Sequence, residues 1–84
     1  MILTTTPPEE TALQAHLQKL RTQLHEDPEL SWQEHRTTLL VRRELEALCL
    51  EPVPLGLPTG AAALLRGALP GPTVGLRADL DALP

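Results

Sequence analysis

Proline placement sets the limits on what this chain can fold into. Of its nine prolines, Pro7 and Pro8 stand near the start, Pro28 lies between two helical patterns, and the other six fall from Pro52 onward. Proline removes a backbone donor, fixes φ and pushes the residue before it away from helical geometry. Long helices are therefore confined to two windows, one before Pro28 and one between Pro28 and Pro52.

In the first window, Thr6-Pro7-Pro8-Glu9 reads as a helix start, with Thr6 as N-cap, proline in the first turn and Glu9 reaching back as a capping box. Leu13, Leu17, Leu20 and Leu24 then recur at helical spacing, opposite Gln14, Gln18, Arg21 and Gln23. This helix is expected to stop before Pro28. In the second window, Ser31 and Glu34 stand three apart as another capping box, and Val41, Leu45 and Leu48 form a stripe, so the spacing predicts a helix over 32–48. Its end reads "ALCLEPVP", with Cys49 where glycine usually takes the left-handed position. That termination is expected to carry strain or to take another form.

Beyond Pro52 the apolar segments are short: "PVPLGL", "GAAALLRG" and "TVGLRA", separated by Pro58-Thr59-Gly60 and by residues 67–72. Both separators are turn-like, and the pattern predicts three strands, the last two pairing as a hairpin, although Ala61 to Ala63 are poor strand formers. The fold class is α/β, two amphipathic helices followed by three strands.

A chain of 84 residues fits one small domain or part of a larger one; a core of that size contributes roughly 3–5 kcal/mol net. Its apolar residues are nearly all Leu, Ala and Val, with Trp32 the only aromatic, so an aliphatic, thin core is expected. A net charge of -4 with seven scattered basic residues gives no patch able to neutralise several phosphates, which argues against nucleic acid as a partner. No apolar run is long enough for a membrane span, no signal-peptide pattern opens the chain, and Cys49 has no second cysteine. A reducing cytoplasm is the expected compartment.

The stretch "TVGLRADLDALP" ends a strand-like run in Arg77, Asp79 and Asp81. On a pleat these three share one side, with Ala78, Leu80 and Ala82 on the other. One reading is a solvated sheet face with Asp81 capping a turn. The other places two carboxylates and a guanidinium at the carboxyl end of a strand, where α/β sheets hold ligands and where carboxylates bind a hard metal or orient a metal-bound histidine.

"LHEDPELSWQEHRT" (24–37) and "PTVGLRADLDALP" (72–84) together resemble the two opening motifs of the M20 family of metal-dependent amidohydrolases, in the branch that hydrolyses N-acyl amino acids such as hippurate and auxin conjugates. That branch usually reads L-H-x-x-P-E-L-S and then R-A-D-M-D-A-L-P; here Leu80 stands in place of Met, and "PTGAAALLRG" resembles the family's T-G-V-V-A-x-L-x-G strand. The resemblance begins at about Leu13 and implies the N-terminal part, residues 1–84, of a larger two-metal catalytic domain that a smaller, often dimerising domain interrupts. It also implies two divalent metals, zinc or manganese, and a metal-bound water that attacks the amide with a glutamate as general base. The family's ligand motifs, a C-G-H-D segment, an acidic pair and later histidines, are not among these residues.

Other branches of the family carry a metal-binding histidine two residues before an orienting aspartate, and those positions here are Asp79 and Asp81. The resemblance therefore implies a structural role, or one behind the metal ligands, for Asp81 first and Asp79 second, with Arg77 in support. No residue is assigned as a metal ligand, and no cofactor is expected to bind this chain alone. His25 is read as a helix C-terminal cap, and His16 and His35 as solvent-facing. Glu34 is read as a cap, Glu29 as a turn residue rather than an acid or base, and Cys49 as a buried thiol.

The sequence reading is thus the opening of an amidohydrolase that cleaves N-acyl amino acids, inert by itself and prone to self-association. Its rival is a non-catalytic remnant whose helices and sheet bind another chain.

Overall fold

The computed structural model describes residues 8–83. Helix α1 spans Pro8–Glu26 and helix α2 spans His35–Ala47; a two-stranded antiparallel sheet follows, β1 (Glu51–Pro52) and β2 (Ala63–Leu64). Glu51 lies opposite Leu64 and Pro52 opposite Ala63, and the Val53 amide extends the ladder to the Ala62 carbonyl at 3.0 Å. The α/β class holds. The strand pattern differs from expectation: the segments around 52 and 63 pair, and residues 73–83 lie in no strand. A strand exists only where a neighbour accepts its backbone bonds. Among the described residues nothing pairs with "TVGLRA".

Helix α1 ends at Glu26, before Pro28 as expected; the Thr6 cap lies outside the described residues. Among the described residues its leucine stripe lacks a close packing partner, for Leu13 and Leu17 are more than half exposed and Leu20 is half-buried. The link from α1 to α2 runs through His16 Nε2, 2.7 Å from Glu44 Oε2.

The start of α2 corrects the capping-box reading. Gln33 donates to the Leu30 carbonyl at 2.9 Å, closing a turn whose third residue, Trp32, has φ 67°. Positive φ at that position is the type II pattern, usually given to glycine or asparagine. With Trp32 outside helical geometry, α2 starts at His35, Ser31 sits in the turn, and Glu34 at the N-cap position makes no side-chain cap bond. The far end of α2 carries the strain expected of it. Cys49 has φ 58° and donates to Glu46 O at 2.9 Å, while Leu50 donates to Leu45 O at 3.2 Å. These two bonds make a Schellman motif with cysteine in the glycine position. One residue past the C-cap Leu48, Cys49 is an exposed free thiol rather than a buried one.

The expected aliphatic core is also absent among the described residues, where no hydrophobic side chain is fully buried. Val41 and Leu45 of α2 lie half-buried, as do Leu50 and residues 61–64 of the hairpin region, whereas Leu48 is exposed. A cleft of about 280 Å³ lined by Leu45, Leu50, Val53, Leu55 and Ala62 opens between α2 and the hairpin. The radius of gyration is 15.8 Å, against roughly 12 Å for a compact domain of this length. The tightest burial is polar instead: Glu29, Thr37, Thr38 and Thr59.

Candidate functional site

Three of these, Glu29, Thr37 and Thr38, meet at the start of α2, and Thr59 stands beside the Gly60 that Thr38 holds. Glu29 follows Pro28 and turns its carboxylate onto the helix N-terminus, where Oε1 accepts from the Thr37 amide at 2.6 Å and Oε2 from the Arg36 amide at 3.2 Å. These are the third and second residues of α2, whose amides have no intrahelical acceptor, and the helix dipole favours a negative charge there. Burial alone pushes the Glu29 carboxyl up, but the bonds from Thr37 and Arg36, together with the nearby guanidinium, outweigh it and hold the pKa below its ordinary value. Arg36 in turn forms a bidentate pair with Asp27, with both bonds at 2.6 Å, and lies 3.7 Å from Glu29. The Asp27 hydrogen bonds, then the Asp27 and Glu29 charges, push the Arg36 guanidinium up.

The next residue of α2, Thr38, accepts through Oγ1 from the Gly60 amide at 2.9 Å, and one turn further along Arg42 donates to the Gly60 carbonyl at 3.0 Å. Gly60 has φ 98°, and an added Cβ would meet Leu55 Cδ1 at 3.4 Å, so glycine is the residue that fits there. Helix α2 thus holds the Pro58-Thr59-Gly60 loop from both sides.

The second motif joins at the same place, because the Ala82 amide donates to the Glu29 carbonyl at 2.8 Å. Exposure alternates along 79–83, with Leu80 and Ala82 half-buried and Asp79, Asp81 and Leu83 exposed. The two-sided pattern read from the sequence is therefore present over 79–83 without a strand, while Ala78 is exposed like its neighbours. Arg77 Nη2 pairs with Asp79 Oδ1 at 2.9 Å; Asp81 has no hydrogen-bond partner among the described residues. His25 lies in the last turn of α1, and His35 is exposed. Glu34 Oε1 is buried without a partner among the described residues.

Among the described residues no three His, Cys, Asp or Glu side chains gather so as to hold a metal. By themselves these residues do not fit a metal centre. The residues that sequence reasoning missed are Glu29 and its neighbours Asp27 and Arg36. Two carboxylates flanking a proline ahead of a helix were the available signal, since acidic groups suit helix N-termini.

The chain is 48% identical over 67 residues to thermostable carboxypeptidase 2 of Saccharolobus solfataricus, covering 79% of this chain and 17% of that protein. It is 45% identical over 74 residues to N-acetylcysteine deacetylase of Bacillus subtilis, covering 87% of this chain and 20% of that one. It is 39% identical over 77 residues to hippurate hydrolase of Campylobacter jejuni, covering 92% and 20%. By sequence, these matches to amide-bond hydrolases support kinship with the M20 amidohydrolases. The chain spans 17% to 20% of the length of these curated relatives. No protein-family model and no solved structure matches it. No helix among the described residues is long and apolar enough to cross a membrane.

Proposed function

We propose that this chain forms the opening part of the catalytic domain of an M20-type, metal-dependent amidohydrolase whose substrates are N-acyl amino acids. The observation that carries the reading is the bond from the Ala82 amide to the Glu29 carbonyl, because it joins the two motifs on which the family resemblance rests. Two of the relatives bear names, N-acetylcysteine deacetylase and hippurate hydrolase, that describe hydrolysis of an acylated amino acid. That shared chemistry supports N-acyl amino acids over peptides.

In this reading Asp81 supports a metal ligand from behind, Asp79 assists, and Arg77 steadies Asp79 through their ion pair. The two divalent metals, zinc or manganese, are held by ligands from other segments of the family's longer chain. The 84-residue chain by itself is inert and carries no metal of its own; its compartment is a reducing cytoplasm, and neither nucleic acid nor membrane is its partner. Its exposed apolar residues are covered by the rest of such a domain or by further copies.

The test is direct. The purified chain, dialysed with zinc or manganese, is expected to retain no stoichiometric metal and to release no amino acid from hippurate. Tight metal retention or measurable hydrolysis would overturn the assignment of the ligands to other segments.

A further inference from the structure

We infer that Glu29 is the positioning residue for the Asp79–Asp81 stretch, using its carboxylate to lock itself to α2 and its carbonyl to hold Ala82. Among the described residues, the Ala82 amide makes the one hydrogen bond that ties residues 67–83 to the rest of the chain. Gly75 and Leu76 upstream are exposed, Leu76 completely, so the stretch is held at its carboxyl end only. The acceptor of that bond is fixed because the Glu29 side chain, 8% exposed, is clamped by two backbone amides of α2. Asp81 is the residue next to the tether. Its place relative to α2 therefore depends on Glu29, although neither aspartate touches the Glu29 carboxylate.

What the stretch serves rests on the amidohydrolase reading, but the test of the tether does not use activity. Amide hydrogen exchange is followed by NMR in the full chain, in Glu29→Gln, and in the double variant Glu29→Ala with Glu34→Ser. Serine at the N-cap position of α2 supplies a local cap and separates helix stability from positioning. In the unaltered chain the Ala82 amide is expected to exchange at least about fivefold more slowly than that of Leu76, the worth of one net hydrogen bond. In the double variant the α2 amides stay protected while Ala82 falls to the rate of Leu76. Glu29→Gln keeps one acceptor oxygen and gives an intermediate rate.

A residue that merely stabilised α2 would behave differently, since restoring the cap would restore Ala82 as well. Equal exchange of Ala82 and Leu76 in the unaltered chain overturns the inference, as does full protection of Ala82 in the double variant. Should α2 unfold in the double variant, Glu29→Gln decides: slowed exchange at the unaltered level counts against the tether, and a faster rate supports it. Failure here leaves the amidohydrolase reading to be judged by its own assays.

Discussion

Ala82 donates its amide to the carbonyl of Glu29 at 2.8 Å, across 53 positions of sequence, and the same Glu29 caps helix α2 through its side chain. One residue therefore links the start of a helix to the charged stretch that carries Arg77, Asp79 and Asp81. Most consequences that can be measured start from this joint or from the two strained positions near α2.

The pH dependence has a definite sign. The folded Glu29 carboxyl titrates below its ordinary value of 4.5, so the unfolded chain binds that proton more readily. Its contribution to stability is present above the unfolded pKa and is lost as pH falls through the folded one. Circular dichroism between about pH 6 and about pH 3 is expected to show α2 helicity falling, with a shallower fall in Glu29→Gln. Identical titrations of the two chains would contradict the cap.

Ser31 lies in an exposed turn and caps nothing, so Ser31→Ala is expected to change stability by no more than about 0.5 kcal/mol. A loss near 1 kcal/mol in urea unfolding would restore the capping box read from the sequence.

Cys49 occupies the left-handed position of the Schellman motif at φ 58°. Cys49→Gly is expected to stabilise the chain by about 1 kcal/mol, with Cys49→Ala near neutral. A destabilising glycine would show that the cysteine side chain contributes more than its backbone strain costs.

Thr38→Val keeps the shape of a residue that is 2% exposed but removes the acceptor of the Gly60 amide. The expected loss is about 1 kcal/mol. Arg42→Ala acts on the same glycine, so the two losses are expected to add incompletely in a double-mutant cycle. Full additivity would mean that the loop is not held as one unit.

Val74, Leu76 and Leu83 are 83%, 100% and 90% exposed, and the backbone beside Val74 and Leu76 is in no sheet. Exposed apolar backbone of this kind is a template for pairing with another chain. The chain is expected to self-associate at micromolar concentration, and Val74→Lys with Leu76→Lys to reduce it. Sedimentation showing a monodisperse, cooperatively folded monomer would contradict this.

Both helices were legible because Leu13 to Leu24 and Val41 to Leu45 repeat at helical spacing and Pro28 separates them. The strained end of α2 was legible too, since a helix that ends on cysteine lacks the usual glycine. The start of α2 was not. It depends on Trp32 taking positive φ, against its own preference, and on a carboxylate eight residues before the Thr37 amide it binds. Residues 73–77 have strand-like composition, but composition cannot supply a partner strand. Of the candidate site, the pairing of Arg77 with Asp79 and the alternation around Asp81 follow from local order, whereas the Glu29 tether is long-range and left no periodic trace.

The central claim is tested most directly by a chimera in which residues 8–83 replace the matching part of the Campylobacter jejuni hippurate hydrolase, to which the chain is 39% identical. Hippurate hydrolysis is measured on the metal-loaded protein. Activity within about tenfold of the parent is expected, with a loss of about 10- to 100-fold in the chimera bearing Asp81→Asn, the range for residues that orient a metal ligand. A folded, metal-loaded chimera that does not hydrolyse hippurate, or one indifferent to Asp81→Asn, would contradict the account.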